Sequence, residues 1–145
     1  MALAQKIDTE WQRREIICAW ISLNLELGDS PKALDTMRRL VDRKADLHLE
    51  HLLLTRKIPS SDPVTVCRHI ADYLTESGYA KYQIGRASDT IIYRDWNDCV
   101  EMPILPWAYQ KGLKVTPNPS TSIFHAALRR LCNMNTEIIR GDQVP

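Results

Sequence analysis

The sequence predicts an α+β fold dominated by helix. Three observations carry that expectation. Apolar residues recur at helical spacing through most of the chain. One stretch, near Tyr82 to Arg94, switches to alternation of apolar and polar residues. Glycine and proline then fall between the periodic segments, where breakers belong. The expected order is an N-terminal antiparallel helical hairpin, a helix, a β-hairpin and a C-terminal helix. A winged-helix or helix-turn-helix arrangement is compatible with that order.

The first helix is expected from about Glu10 to Leu27, with Thr9 and Gln12 forming a capping box. Ile16, Trp20, Leu23 and Leu27 make one apolar stripe, which Ile17 and Ile21 widen. Gly28 suits a left-handed C-cap. Asp29 or Ser30 then caps a second helix with Pro31 at its first position. That helix is expected to reach Lys57 and to bury Leu34, Met37, Val41, Ala45, His48 and Leu52. Arg56 and Lys57 would complement the dipole of its last turn. A connection this short favours antiparallel packing of the pair.

Ile58 to Asp62 reads as a loop, and Asp62-Pro63 opens a third helix that Gly78 closes. Val66, Ile70 and Leu74 form its apolar face, flanked by Tyr73. Tyr82 and Ile84, then Thr90 to Arg94, alternate as the arms of a hairpin whose loop is Gly85 to Asp89. Asp95 to Pro106 is irregular. Leu105 to Gln110 is a short apolar element before Gly112, and Asn118-Pro119 or Ser120 starts a final helix running to about Asn133. Ile123, Phe124, Ala127, Leu128 and Leu131 are its buried face. Ile138 and Ile139 would add a short strand, and Gly141 to Pro145 a frayed tail.

At 145 residues, residues 1–145 are expected to form one domain, organised as a hairpin part (1–58) and a mixed part (62–140). Apolar residues are 44% and charged residues 26%, which excludes disordered and fibrous classes. No apolar run approaches a membrane span. Met1 to Glu10 is too polar for a signal peptide. The cysteines, Cys18, Cys67, Cys99 and Cys132, lack the close pairing of a zinc knuckle. Reduced thiols in the cytoplasm are therefore expected. His48 and His51, beside Asp46 and Glu50, are two ligand types on neighbouring helix faces. They need further ligands to hold a metal, so no metal or cofactor is expected. No nucleophile elbow, Walker loop or dinucleotide-binding glycine pattern occurs, so no enzymatic activity is expected.

Charge is distributed unevenly although the net charge is only +1. Between Met102 and Thr136 there are Lys111, Lys114, Arg129 and Arg130, and no carboxylate. A local excess of cations attracts phosphates. The same segment outlines a helix-turn-helix. Its second helix opens on Asn118, Ser120, Thr121 and Ser122, with His125 one turn further. Short polar side chains there could meet base edges, while Arg129 and Arg130 anchor phosphates. A second outline, a winged helix, would use Arg68, His69, Lys81, Arg86 and Arg94. The leading expectation is thus a small regulator that binds double-stranded DNA and dimerises through its N-terminal helices.

A second expectation is a helical adaptor that binds a protein partner. The stretch from Leu25 to Leu40, which includes Leu-Gly-Asp-Ser-Pro-Lys-Ala-Leu, resembles the turn and second-helix start of a tetratricopeptide-like hairpin. The resemblance occurs once, without the repeats of a solenoid. It implies a helical hairpin suited to protein contacts. A third expectation places a ligand pocket in the aromatic region from Trp96 to Tyr109, next to Trp107.

Overall fold

Local chemistry sets most of the helix boundaries. In a computed structural model of the chain, the described residues form five helices and a two-stranded sheet in the order α1 (Ala2–Leu27), α2 (Pro31–Thr55), α3 (Pro63–Glu76), β1 (Lys81–Arg86), β2 (Ile92–Asn97), α4 (Leu105–Gln110) and α5 (Pro119–Cys132). The structure describes residues 2–86, 88, 92–97, 103–115 and 119–137, and side chains within 11–12, 14–86, 88, 92, 103–115 and 122–137. Helix dominates, with a small β part. Expectations for Asn118, for Ala87 and Asp89 of the Gly85 to Asp89 tip, for Cys99, for Ile138 and Ile139, and for the C-terminal tail lie outside the described residues.

The helix ends show how short-range contacts act. Ser30 caps α2, its Oγ accepting from the Ala33 amide at 3.1 Å, and Pro31 follows at the first position. Asp62 does the same for α3, accepting from the Thr65 amide at 3.0 Å and the Thr65 hydroxyl at 2.8 Å. At the end of α3, Gly78 (φ +75°) donates to the Thr75 carbonyl while the Tyr79 amide reaches back to Leu74. This is a Schellman closure, which satisfies carbonyls the helix leaves over.

Two boundaries differ from expectation. α1 begins at Ala2 and not near Glu10. No glycine or proline lies before Gly28, so the helix continues through the expected cap at Thr9. α2 ends at Thr55, and Arg56 turns out of the helix (φ −126°, ψ 114°). Its guanidinium then serves α3. Nη1 donates to the His69 carbonyl at 3.2 Å, Nη2 meets Glu76, and the group sits 6.0 Å from the Tyr73 ring centroid.

β1 and β2 pair antiparallel, with Lys81 opposite Asn97 and Arg86 opposite Ile92. The hairpin lies on α3. Tyr82 meets Phe124 of α5 edge-to-face at 5.6 Å, and Arg86 approaches Asp62 at 3.8 Å.

The core crosses the expected seam at Ile58 to Asp62. Its larger cluster joins Ala45, Leu49 and Leu52 of α2 to Val66, Ile70 and Leu74 of α3 and Ile123, Ala127 and Leu128 of α5. A smaller cluster joins Ile17 and Ile21 of α1 to Ala108 of α4 and Leu113. α2 therefore packs most extensively on α5, and α1 meets α4. Across the short α1–α2 connection, the Lys44 ammonium lies 5.5 Å from the Trp20 ring centroid.

The expected faces of α3 and α5 are buried, and those of α1 and α2 agree with expectation in part, Ile17, Ile21, Met37, Val41, Ala45 and Leu52 being buried as expected. Among the described side chains of α1, Ile17, Ile21 and Asn24 are buried, while Ile16 and Leu27 are exposed and Trp20 and Leu23 half-buried. In α2 the buried positions are Ala33, Met37, Val41, Ala45, Leu49 and Leu52, leaving Leu34 and His48 half-buried. A wide apolar stripe permits several rotations of a helix, and the packing partners select one.

Candidate functional site

The residues expected to read DNA are distributed by the fold over different environments. α5 is an interior helix. Ser122, Ile123, Phe124, Ala126, Ala127 and Leu128 are all buried, and Ser122 is only 6% exposed. A helix that enters a major groove presents its N-terminal side chains outward. Ser122 instead faces the core, and the side chains of Ser120 and Thr121 are not among those described. His125 is half-buried and shares a hydrogen bond with the Thr136 hydroxyl. Arg129 forms an ion pair with Asp46 of α2 at 3.0 Å.

Lys111, Lys114 and Arg130 are exposed. Lys114 lies at the α1 end of the segment, because its amide donates to Asn24 Oδ1 at 2.8 Å. Eleven residues of α5 separate Pro119 from Arg130, which is about 16 Å of helix. The two elements of the expected helix-turn-helix also belong to different clusters, with α4 on α1 and α5 on α2 and α3. The packing thus differs from a helix-turn-helix, in which the two helices share one core. For the winged-helix outline, Arg68 and Lys81 are exposed, and Arg86 is drawn toward Asp62 at the N-terminus of α3.

Asn24 was missed by a reading of hydrophobic stripes, because it is polar and 3% exposed. Its Oδ1 accepts from the backbone amides of Lys114 (2.8 Å) and Val115 (3.1 Å), and its Nδ2 donates to the Trp20 carbonyl at 2.7 Å. One amide side chain therefore ties the segment after α4 to α1.

His48 and His51 separate. His51 is exposed. His48 Nε2 shares a 3.0 Å hydrogen bond with the Tyr73 hydroxyl, and the rings pack edge-to-face at 5.7 Å. Burial lowers the His48 pKa below the usual histidine value, and the charges of Lys44 and His51 lower it further. The side chain thus sits between α2 and α3 in surroundings that disfavour its charged form. Among the described residues no group of three His, Cys, Asp or Glu side chains is placed to hold a metal. Cys18, Cys67 and Cys132 form no disulfide among the described residues and are exposed, buried and half-buried in turn. Burial, then the charge of Asp62, raises the Cys132 pKa. Trp11, Trp107 and Tyr109 are exposed, and the Trp96 side chain is not among those described.

What the structure leaves open is one face of α2. Leu47 is 62% and Leu54 78% exposed, and Leu40 is half-buried. These three leucines recur every seven residues, so they lie within about 20° per step on one line of the helix. Beside Leu40, the side chains of Thr36, Arg39, Leu40 and Arg43 border a shallow depression. Their spacing is i, i+3, i+4 and i+7, which is the four-residue hole that receives a knob in helix–helix packing. The signal was present in the sequence as a second stripe, Leu40, Leu47 and Leu54. The stripe that faces the core concealed it. Among the described residues no helix is long and apolar enough to cross a membrane. Comparison with protein families, with curated proteins and with solved structures returned no match.

Proposed function

We propose that this protein is a helical protein-interaction module that receives an amphipathic helix on the outer face of α2. One observation carries the reading: Leu47 and Leu54 stand exposed in line with a ready-made hole bordered by Thr36, Arg39, Leu40 and Arg43. Single exposed leucines are ordinary on protein surfaces. Two leucines at heptad spacing beside such a hole make a seam that a second helix can complete. The opposite face of α2 is fixed in the core by Ala45, Leu49 and Leu52, so the seam is presented on a rigid element.

Binding of duplex DNA has weaker support. Lys111, Lys114 and Arg130 offer exposed cations for phosphates, but the helix expected to read bases is enclosed by α2 and α3. Such contacts would be electrostatic and insensitive to sequence.

The docking reading is tested with a photo-crosslinking amino acid placed in turn at Leu47, Leu54 and the exposed Asp42. Covalent protein adducts at 47 and 54 and none at 42 are expected. Absence of adducts at 47 and 54, or equal yield at 42, overturns the reading.

A further inference from the structure

The docking face carries its charges in a pattern that selects one kind of helix, and this inference rests on the docking reading above. Arg43 and Glu50 are exposed and lie on the same side of α2, one before and one after Leu47. Neither enters an ion pair among the described residues. They are seven residues apart, beyond the three or four at which side chains of one helix meet. Opposite charges of this kind, placed about a central leucine, match their own pattern when it is reversed.

We propose that the occupant of this face is α2 of a second copy, laid antiparallel about a twofold axis near Leu47. Two features agree on the register to within one residue. The hole formed by Thr36, Arg39, Leu40 and Arg43 is centred between Arg39 and Leu40. A twofold that sets Leu47 beside its twin places Leu54 of each copy over the hole of the other. The same operation sets Arg43 of each copy level with His51 of the other, one residue or about 1.5 Å from Glu50, within reach of its carboxylate. A parallel copy would instead oppose like charges, Arg43 to Arg43 and Glu50 to Glu50, and would leave Leu54 away from the hole. The twofold interface is self-complementary and closes at two chains. Its apolar part is small, so association depends on concentration.

The test uses sedimentation equilibrium of the full chain over a wide concentration range. Wild type is expected to pass from monomer to dimer mass. Arg43→Glu and Glu50→Arg each convert two attractive pairs into two repulsive ones, and each is expected to weaken association about tenfold or more. An equimolar mixture of the two variants restores both attractive pairs and is expected to recover the wild-type dimer. Both positions are exposed, so circular dichroism should be unchanged in each variant. A chain that stays monomeric throughout overturns the proposal. A dimer indifferent to both reversals, or a mixture that fails to recover, overturns it equally. Monomeric mass together with adducts to a different protein at 47 and 54 overturns the self-pairing and leaves the docking reading standing. Absence of any adduct removes both.

Discussion

Asn24 and His48 show how a single polar side chain takes its role from its neighbours. Asn24 sits where a hydrophobic stripe would place an aliphatic residue, yet its oxygen accepts two bonds and its nitrogen donates one. A buried amide left without a partner costs about 1–3 kcal/mol. Asn24→Leu removes the acceptor for two backbone amides at once. We expect a loss of about 2–4 kcal/mol in urea unfolding. Faster hydrogen exchange at Lys114 and Val115 should accompany it. A loss below about 1 kcal/mol would mean that water replaces the side chain as acceptor. Nothing in the sequence near Asn24 announced this role. Its partners lie 90 and 91 residues away. His48, read as a residue of the buried stripe, instead stands at its edge and finds a phenol from α3.

Among the elements, those whose ends depend on adjacent residues were legible. Ser30-Pro31 and Asp62-Pro63 start helices because a side-chain oxygen and a fixed proline φ act within a few residues. Gly112 ends α4 in the same local way. It takes φ +114°, its amide donates to Tyr109 and the Leu113 amide to Ala108. A Cβ at this position would approach Leu25 Cδ2 at 2.7 Å, whereas one at Gly78 would meet nothing within 4 Å. Leu25 is exposed and its tip can rotate away, so the backbone term governs the cost. Gly112→Ala is expected to lower stability by about 2 kcal/mol and Gly78→Ala by about 1 kcal/mol. Equal thermal shifts for the two variants would contradict that order. Arg56 marks the limit of local reading. A cation at a helix C-terminus is a sound local expectation, but Glu76, the His69 carbonyl and the Tyr73 ring together draw it out of the helix.

For the whole molecule there are two unequal cores, and α2 belongs to the larger. The larger cluster holds it against α3 and α5, and the smaller one holds α1 against α4. Local opening follows the amount of apolar surface that an element buries. Amides of α1 and α4 are therefore expected to exchange with solvent sooner than those of α3, α5 and the C-terminal half of α2. Uniform protection across all five helices would show that the two clusters unfold as one unit. Such an outcome would assign more of the coupling to the Lys44–Trp20 contact.

The sequence by itself determined the helical character, the hairpin of two strands, the starts of α2 and α3, and the glycine closures. Each of these is set by periodicity or by groups within a few residues, where backbone geometry acts directly. The tertiary structure decided the exact rotation of α1 and α2, the enclosure of α5 and the use of Asn24. It also decided which leucines of α2 remain outside. Two apolar stripes on one helix are equivalent to a reading of spacing. Only the positions of α3 and α5 distinguish the stripe that forms the core from the stripe left for a partner.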